Sequence, residues 1–208
     1  MTIPKILIRT VPEETSREIE KWWEHACFLH PGWHHITYRD PIDPHLFPIT
    51  MAHWVRCKTG AQKAGLIRLE AVLNTGGVYI DSDVEVFKPF DPLLGSTMFA
   101  AWEDDGVVPD AIFGAEKYSL AVAKLLDEAI RRLYLKSTNW RTGNGAWSTG
   151  PGVFTEILPQ RNDVLLLPPQ AFYAVSYKER PLLGRKPAPY EFARHHWHAS
   201  WLPPEMRV

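Results

Sequence analysis

The chain has 208 residues and a formal charge of −1, enough for one compact domain, expected to span 1–208, and not for two large ones. The near-neutral balance argues against a nucleic-acid or membrane-surface binder driven by global charge, and no apolar run approaches the ~20 residues of a membrane span. Cys27 and Cys57 form no disulfide framework, and Met1–Lys5 leads into a strand pattern rather than a signal peptide, so the expected compartment is cytoplasmic.

In chain order, Lys5–Thr10 reads as a first strand, stopped by Pro12. Glu14–Phe28 reads as a helix with an acidic first turn, which suits the helix dipole. Trp33–Tyr38 is a second strand, and the proline-rich Asp40–Pro48 a loop. Ala61–Asn74 is a helix closed by Gly76-Gly77. Short strands follow at Val78–Ile80, Val84–Phe87, Met98–Trp102 and Ile112–Gly114. Leu120–Leu135 is an amphipathic helix. Thr149–Gly152 is a turn before a short helix to Leu158, Val164–Leu167 is a strand, and the remainder reads as irregular. Alternating strands and helices predict an α/β domain with a mostly parallel sheet, whose ligands sit beyond the carboxyl ends of its strands. Nine tryptophans supply flat faces for sugars or rings, and bulky core filler equally.

Asp81 and Asp83 lie at such a strand end, in "GGVYIDSDVEVF". An Asp-x-Asp arises about once by chance in a chain of this size, so its context carries the information. Two residues apart on extended backbone, both carboxylates share a face and repel, so one would take a proton or both would share a cation. Oxygen ligands suit Mg²⁺ or Mn²⁺, which keep positions free for phosphate oxygens. Arg68 sits on a stripe of small residues in the preceding helix and calls for a partner such as Asp81 or Asp83. The alternatives are a solvated surface turn, and a phosphatase with Asp81 as nucleophile on its first strand. The second fits poorly, because other strands precede the motif.

"AGLIRLEAVLNTGGVYIDSDVEVFKPFDPLL" resembles the signature of the DXD-motif sugar transferases of glycosyltransferase family 32, related to yeast outer-chain mannosyltransferases and large clostridial glucosylating toxins. The matching positions are Arg68, Leu73, Gly76, Gly77, Tyr79, Asp81 and Asp83. "IPKIL", "HPGW", "STGPGVFT" and "HHWHASW" resemble further family segments in family order. The resemblance implies a GT-A type nucleotide-binding α/β sandwich. It also implies metal-dependent transfer, usually with retention, from a UDP- or GDP-sugar. The acceptor stays open between glycan, lipid-linked sugar, metabolite, protein and modified DNA base.

Residue by residue, the resemblance makes Asp83 the main ligand of Mn²⁺ or Mg²⁺. Asp81 holds the donor or shares the metal, and His196 completes the metal shell. Arg68, with Asp81 and Asp83 a catalytic residue by this resemblance, faces the donor sugar and phosphate. Gly77, Asp110, Ser200 and Trp201 also meet the donor, and the segment carrying His196, Ser200 and Trp201 closes over it. Three departures stand out. Ala64-Gly65 replaces the family's Ser-Asp, leaving an acceptor missing near the donor sugar. Ile8 and Val11 replace its His-x-x-Trp, removing a base-stacking ring. Asp110 replaces an Asn. A degenerate, non-catalytic binder of nucleotide sugars or glycans is therefore an alternative reading.

Overall fold

The computed structural model describes residues 2–103, 106–135, 145–176, 179 and 182–198. Eight strands are described: β1 (Ile6–Val11), β2 (His34–Arg39), β3 (Gly77–Ile80), β4 (Val84–Val86), β5 (Met98–Ala101), β6 (Ile112–Ala115), β7 (Val164–Leu167) and β8 (Ala193–His195). The helices are α1 (Arg17–Leu29), α2 (Pro48–His53), α3 (Gly60–Thr75), α4 (Leu120–Leu133), α5 (Gly145–Thr149) and α6 (Pro151–Ile157).

Six strands form one sheet in the order β2-β1-β3-β6-β5-β7. The β1–β2, β1–β3 and β5–β7 pairs are parallel, and β6 runs antiparallel to β3 and β5. Side chains alternate between two cores, as a period of two requires. Ile8, Tyr79, Met98, Ala100 and Phe113 meet α3, α4 and α6 on one face. Leu7, Val78, Ile80, Phe99 and Ile112 meet α1 and the C-terminal segment around Phe172 on the other. A fully buried Phe or Leu in such a layer contributes roughly 1.5–3 kcal/mol. Both faces are covered, so β3, β5 and β6 are buried throughout. α3 also has neighbours on several sides, namely β1, α4 and α5. The run from Gly65 to Val72 is consequently buried without a break. That gives it no clean polar face.

The structure corrects the reading in three places. Asp40–Pro48 is not all loop: Pro44–Leu46 forms one turn of 3-10 helix, and Pro48 opens α2 (Pro48–His53) in a stretch to which the sequence assigns no element. Its helix start has no local cap; the buried Glu70 carboxylate on α3 accepts from Ile49 N–H (3.0 Å) and Thr50 N–H (2.6 Å). A cap supplied from twenty residues away leaves no local signal. α1 begins at Arg17, where the Ser16 side chain accepts from Ile19 N–H, rather than at Glu14. The C-terminal region expected to be irregular contains β8, which pairs antiparallel with β4: Val84 opposite His195, Val86 opposite Ala193.

Buried charge holds β8 in place. Arg194 is 1 % exposed and forks onto Glu191 (2.7 and 2.9 Å) while donating to the carbonyls of Leu183 (2.6 Å) and Arg185 (2.8 Å). A planar guanidinium suits this bidentate and carbonyl pairing where lysine would not. No described helix is long and apolar enough to cross a membrane.

Candidate active site

The sheet order sets out the site. β2, β1 and β3 end at one edge, and the antiparallel β6 begins there, with Asp81 N–H donating to Ala111 O at 2.8 Å. Residues just beyond those ends line a cleft of about 750 Å³: Asp40 and Ile42 after β2, Thr10–Pro12 from β1, Asp81–Asp83 after β3, and Asp110 before β6. The face of α3 carrying Gly60, Ala61, Lys63, Ala64, Ile67 and Arg68 forms another wall, and His195, Trp197 and Trp54 complete it.

Arg68 is enclosed by carboxylates. One guanidinium nitrogen reaches Asp110 Oδ2 (2.8 Å) and Asp110 O (3.0 Å), and the other reaches Asp81 Oδ1 (3.0 Å). Its charged form is favoured despite burial, because Asp110 and then Asp81 outweigh the desolvation cost. Asp81 also accepts from Tyr79 Oη at 2.8 Å, and Tyr79 shares a 2.7 Å hydrogen bond with Thr10. Burial raises the Asp81 carboxyl to about 6; Arg68 opposes the rise, and the neighbouring Asp83 and Asp110 charges add to it.

Asp83 is held by the C-terminal segment. His195 Nε2 lies 3.1 Å from Oδ1, His198 N–H donates to Oδ2 (2.9 Å), and His196 N–H donates to the Asp83 carbonyl (2.9 Å). Burial favours the neutral acid, but the His195 charge and hydrogen bond and the His198 amide overcome it and hold the carboxyl below its usual range. His195 moves the other way: burial lowers its pKa, and Asp83 more than compensates. Trp197, at φ 56, turns the chain through the left-handed region so that the His198 amide faces Asp83. The ligand atoms of Asp81, Asp83 and His195 all lie within 4.8 Å of one another.

The predicted residues separate accordingly. Arg68, Asp81, Asp83 and Asp110 lie together at the cleft, with Arg68 paired to both Asp81 and Asp110. His196 does not join them: its ring turns to Glu85 Oε2 (3.0 Å) and stacks on Trp22 at 4.1 Å, and His195 takes the place beside Asp83. The register of β8 against β4 decides which of two adjacent histidines faces inward, and "HHWH" alone does not contain that register. Gly77 is absent from the described cleft lining. It sits at the opposite end of β3, at φ 106, where a Cβ would fall 2.6 Å from Ile6 O. Ser200 and Trp201 lie outside the described residues. Trp54 and Lys63 were not foreseen; both lie in stretches where no spacing rule marks them.

Gly65 also has a packing explanation. A Cβ there would lie 2.9 Å from Thr149 Oγ1 and 3.1 Å from Thr149 O, so the position faces α5 rather than the cleft. The Thr-Gly-Pro turn continues this close fit. A Cβ on Gly150 would lie 2.6 Å from Asp110 Oδ2, and one on Gly152 would meet the Trp147 ring. Small residues at these points let α5 press against α3 and α6 close on Trp147 of α5, and leave room for the Asp110 carboxylate that holds Arg68.

Residues 12–100 match the family described as glycosyltransferase sugar-binding region containing DXD motif. No curated protein sequence matches the chain. Among solved structures, the PaToxG glycosyltransferase superposes with a TM-score of 0.62 at 17 % identity, covering 76 % of this chain and 69 % of its own. The ligand-free glycosyltransferase domain of the YGT toxin gives 0.61 at 10 % identity, covering 80 % of each chain. The galactosyltransferase LgtC, solved with donor and acceptor sugar analogues, gives 0.52 at 10 % identity, covering 94 % of this chain and 90 % of its own. The chain thus shares the GT-A fold of these glycosyltransferases, and its residues 12–100 resemble their DXD-containing sugar-binding region.

Proposed function

We propose that residues 1–208 act as one domain that moves a sugar from a nucleoside-diphosphate sugar to an acceptor, with retention, using Mn²⁺ or Mg²⁺. The observation that carries this is the convergence of Asp81, Asp83 and His195 within 4.8 Å inside a cleft beyond the strand ends. The charge of the cleft points the same way. Asp40, Asp81, Asp83 and Asp110 face only Lys63 and Arg68 among its described residues, giving a formal −2 with His195 neutral. An anionic diphosphate would be repelled from such a site unless a cation entered with it.

Two carboxylates and one imidazole form a donor set suited to a divalent cation with open positions. Asp83, Asp81 and His195 would hold it, the ring giving its Nε2 lone pair and keeping its proton on the buried Nδ1, which has no partner among the described residues. When bound, the metal offsets the charge that builds on the leaving diphosphate. Arg68 keeps Asp81 ionised and fixed in direction, and Tyr79 restricts the same carboxylate to one rotamer. The β8 segment covers Asp83 and limits water at the reacting centre. Front-face attack with the leaving phosphate as base requires no side-chain base, and none is assigned. UDP- and GDP-sugars are both candidate donors. Cys27 and Cys57 are free thiols, in keeping with a cytoplasmic setting.

The test is hydrolysis of a panel of UDP- and GDP-sugars with Mn²⁺, with chelator, and with His195→Ala beside His196→Ala. Chelator and His195→Ala should each remove nearly all turnover, while His196→Ala should retain it within about threefold. Undiminished turnover in excess chelator would refute the metal assignment. Equal losses in the two histidine variants would refute the choice of His195.

A further inference from the structure

The carboxylates that enclose Arg68 leave a question about charge. A diphosphate entering this cleft needs a side chain able to donate to its oxygens, and Arg68 is already engaged by Asp81, the Asp110 carboxylate and the Asp110 carbonyl. Releasing it would strand two buried carboxylates, a cost that a new hydrogen bond would not recover. One other Lys or Arg lines the cleft among the described residues, and that is Lys63. It lies on the same cleft face of α3 as Ala64 and Ile67, five residues before Arg68, which places its Cα about 7.5 Å along the helix axis. No carboxylate partners it among the described residues; its ammonium sits over the Trp54 ring, 4.4 Å from the centroid.

We infer that Lys63, carried on the face of Trp54, is the side chain that binds the diphosphate of the nucleotide sugar. This rests on the donor class proposed above. An indole face attracts a cation without consuming its hydrogen bonds, so three N–H donors stay available to an incoming anion. The half-buried lysine lies in the wall of the cleft, and its charge sits over a ring that also lines it. A flexible ammonium can follow the diphosphate as the sugar leaves, which a guanidinium fixed between two carboxylates cannot do. The division of labour is therefore between a locked arginine that organises the acids and a mobile lysine that meets the ligand.

The experiment measures binding of UDP, GDP, uridine and guanosine by calorimetry in Mn²⁺, for wild type, Lys63→Gln, Lys63→Met and Lys63→Arg. Lys63→Met keeps an apolar stem on Trp54, so loss of packing is separated from loss of charge. The expected result is about a tenfold weaker diphosphate for Lys63→Gln and Lys63→Met, unchanged nucleoside binding, and affinity within about threefold of wild type for Lys63→Arg. Wild-type diphosphate affinity in Lys63→Gln and Lys63→Met would overturn the inference and leave the donor class standing. So would equal losses for diphosphate and nucleoside, which would mark a structural lysine. A wild-type protein that binds neither diphosphate would overturn the donor class and this inference together.

Discussion

The two sides of the site are held by different forces. The α3–β3 side is a buried ladder: β3 pairs with β1 and β6, and α3 packs against β1, α4 and α5. The β8 side is a strap fastened mainly by polar contacts. Arg194 grips Glu191 and two carbonyls, and the amides after β8 close on Asp83. Removing one methylene from an apolar core costs about 1 kcal/mol, whereas removing one partner of a buried ion pair costs about 3–5 kcal/mol. The difference implies that the half of the site built on the core, with Asp81 and Arg68, survives perturbations that detach the half built on the strap.

Breaking the strap's fastening should give the largest effect. Arg194→Met leaves the fully buried Glu191 without its fork and should cost about 3–5 kcal/mol in urea denaturation, with turnover lost in parallel. Adding Glu191→Leu should recover part of that stability, because the carboxylate, left with only Arg185 at 3.3 Å and the Ala188 N–H at 3.0 Å, is gone. If the double variant is no more stable than the single one, the staple is not an isolated ion pair, and the contrast between the two sides is drawn wrongly.

The same contrast explains what could be read in advance. Asp81, Asp83, Arg68 and Gly76-Gly77 occur within sixteen residues, on a helix and strand whose periodicity is local, and their mutual placement follows from short-range geometry. Asp110 was nameable only through the family resemblance, where it stands in place of an Asn. His195 was not separable from His196, since only the pairing of β4 with β8, more than a hundred residues apart, sets which ring faces Asp83. α2 escaped for a related reason, its cap being Glu70 on another helix. Gly65 was read as a gap near the sugar because the resemblance places an Asp there; the space a Cβ would enter is held by Thr149, which is remote in sequence.

A smaller effect sharpens the packed side. Gly65→Asp places a carboxylate against Thr149 Oγ1 and the Thr149 carbonyl, so it should lose about 1–3 kcal/mol by thermal or chemical melting and leave the ranking of nucleotide-sugar donors unchanged. A folded variant with a reordered donor ranking would return Gly65 to the sugar pocket.

The smallest effect concerns the surface of α4. Hydrogen bonding from Arg131, then Arg132, lowers the Glu128 carboxyl to about 2 against burial that opposes the shift. A depressed carboxyl contributes stability that is full above its ordinary value near 4.5 and is lost as pH falls through about 2. Glu128→Gln should therefore melt below wild type at pH 7, and the gap should close between about pH 4.5 and pH 2. A gap that stays constant across that window would mean the side chain contributes by packing alone.

The strap also has a consequence for synthesis. Asp83 and His195 are separated by 112 positions, so a nascent chain exposes its carboxylate pair long before the imidazole that joins it has been translated. Until then the acidic edge has Arg68 and Lys63 as its nearby cations, and Asp83 lacks the His195 ring and the His198 amide. With His195 in the role proposed for it, activity would be tied to completion of the polypeptide: a ribosome that stops before His195 would release a product with the motif intact and that site unfinished.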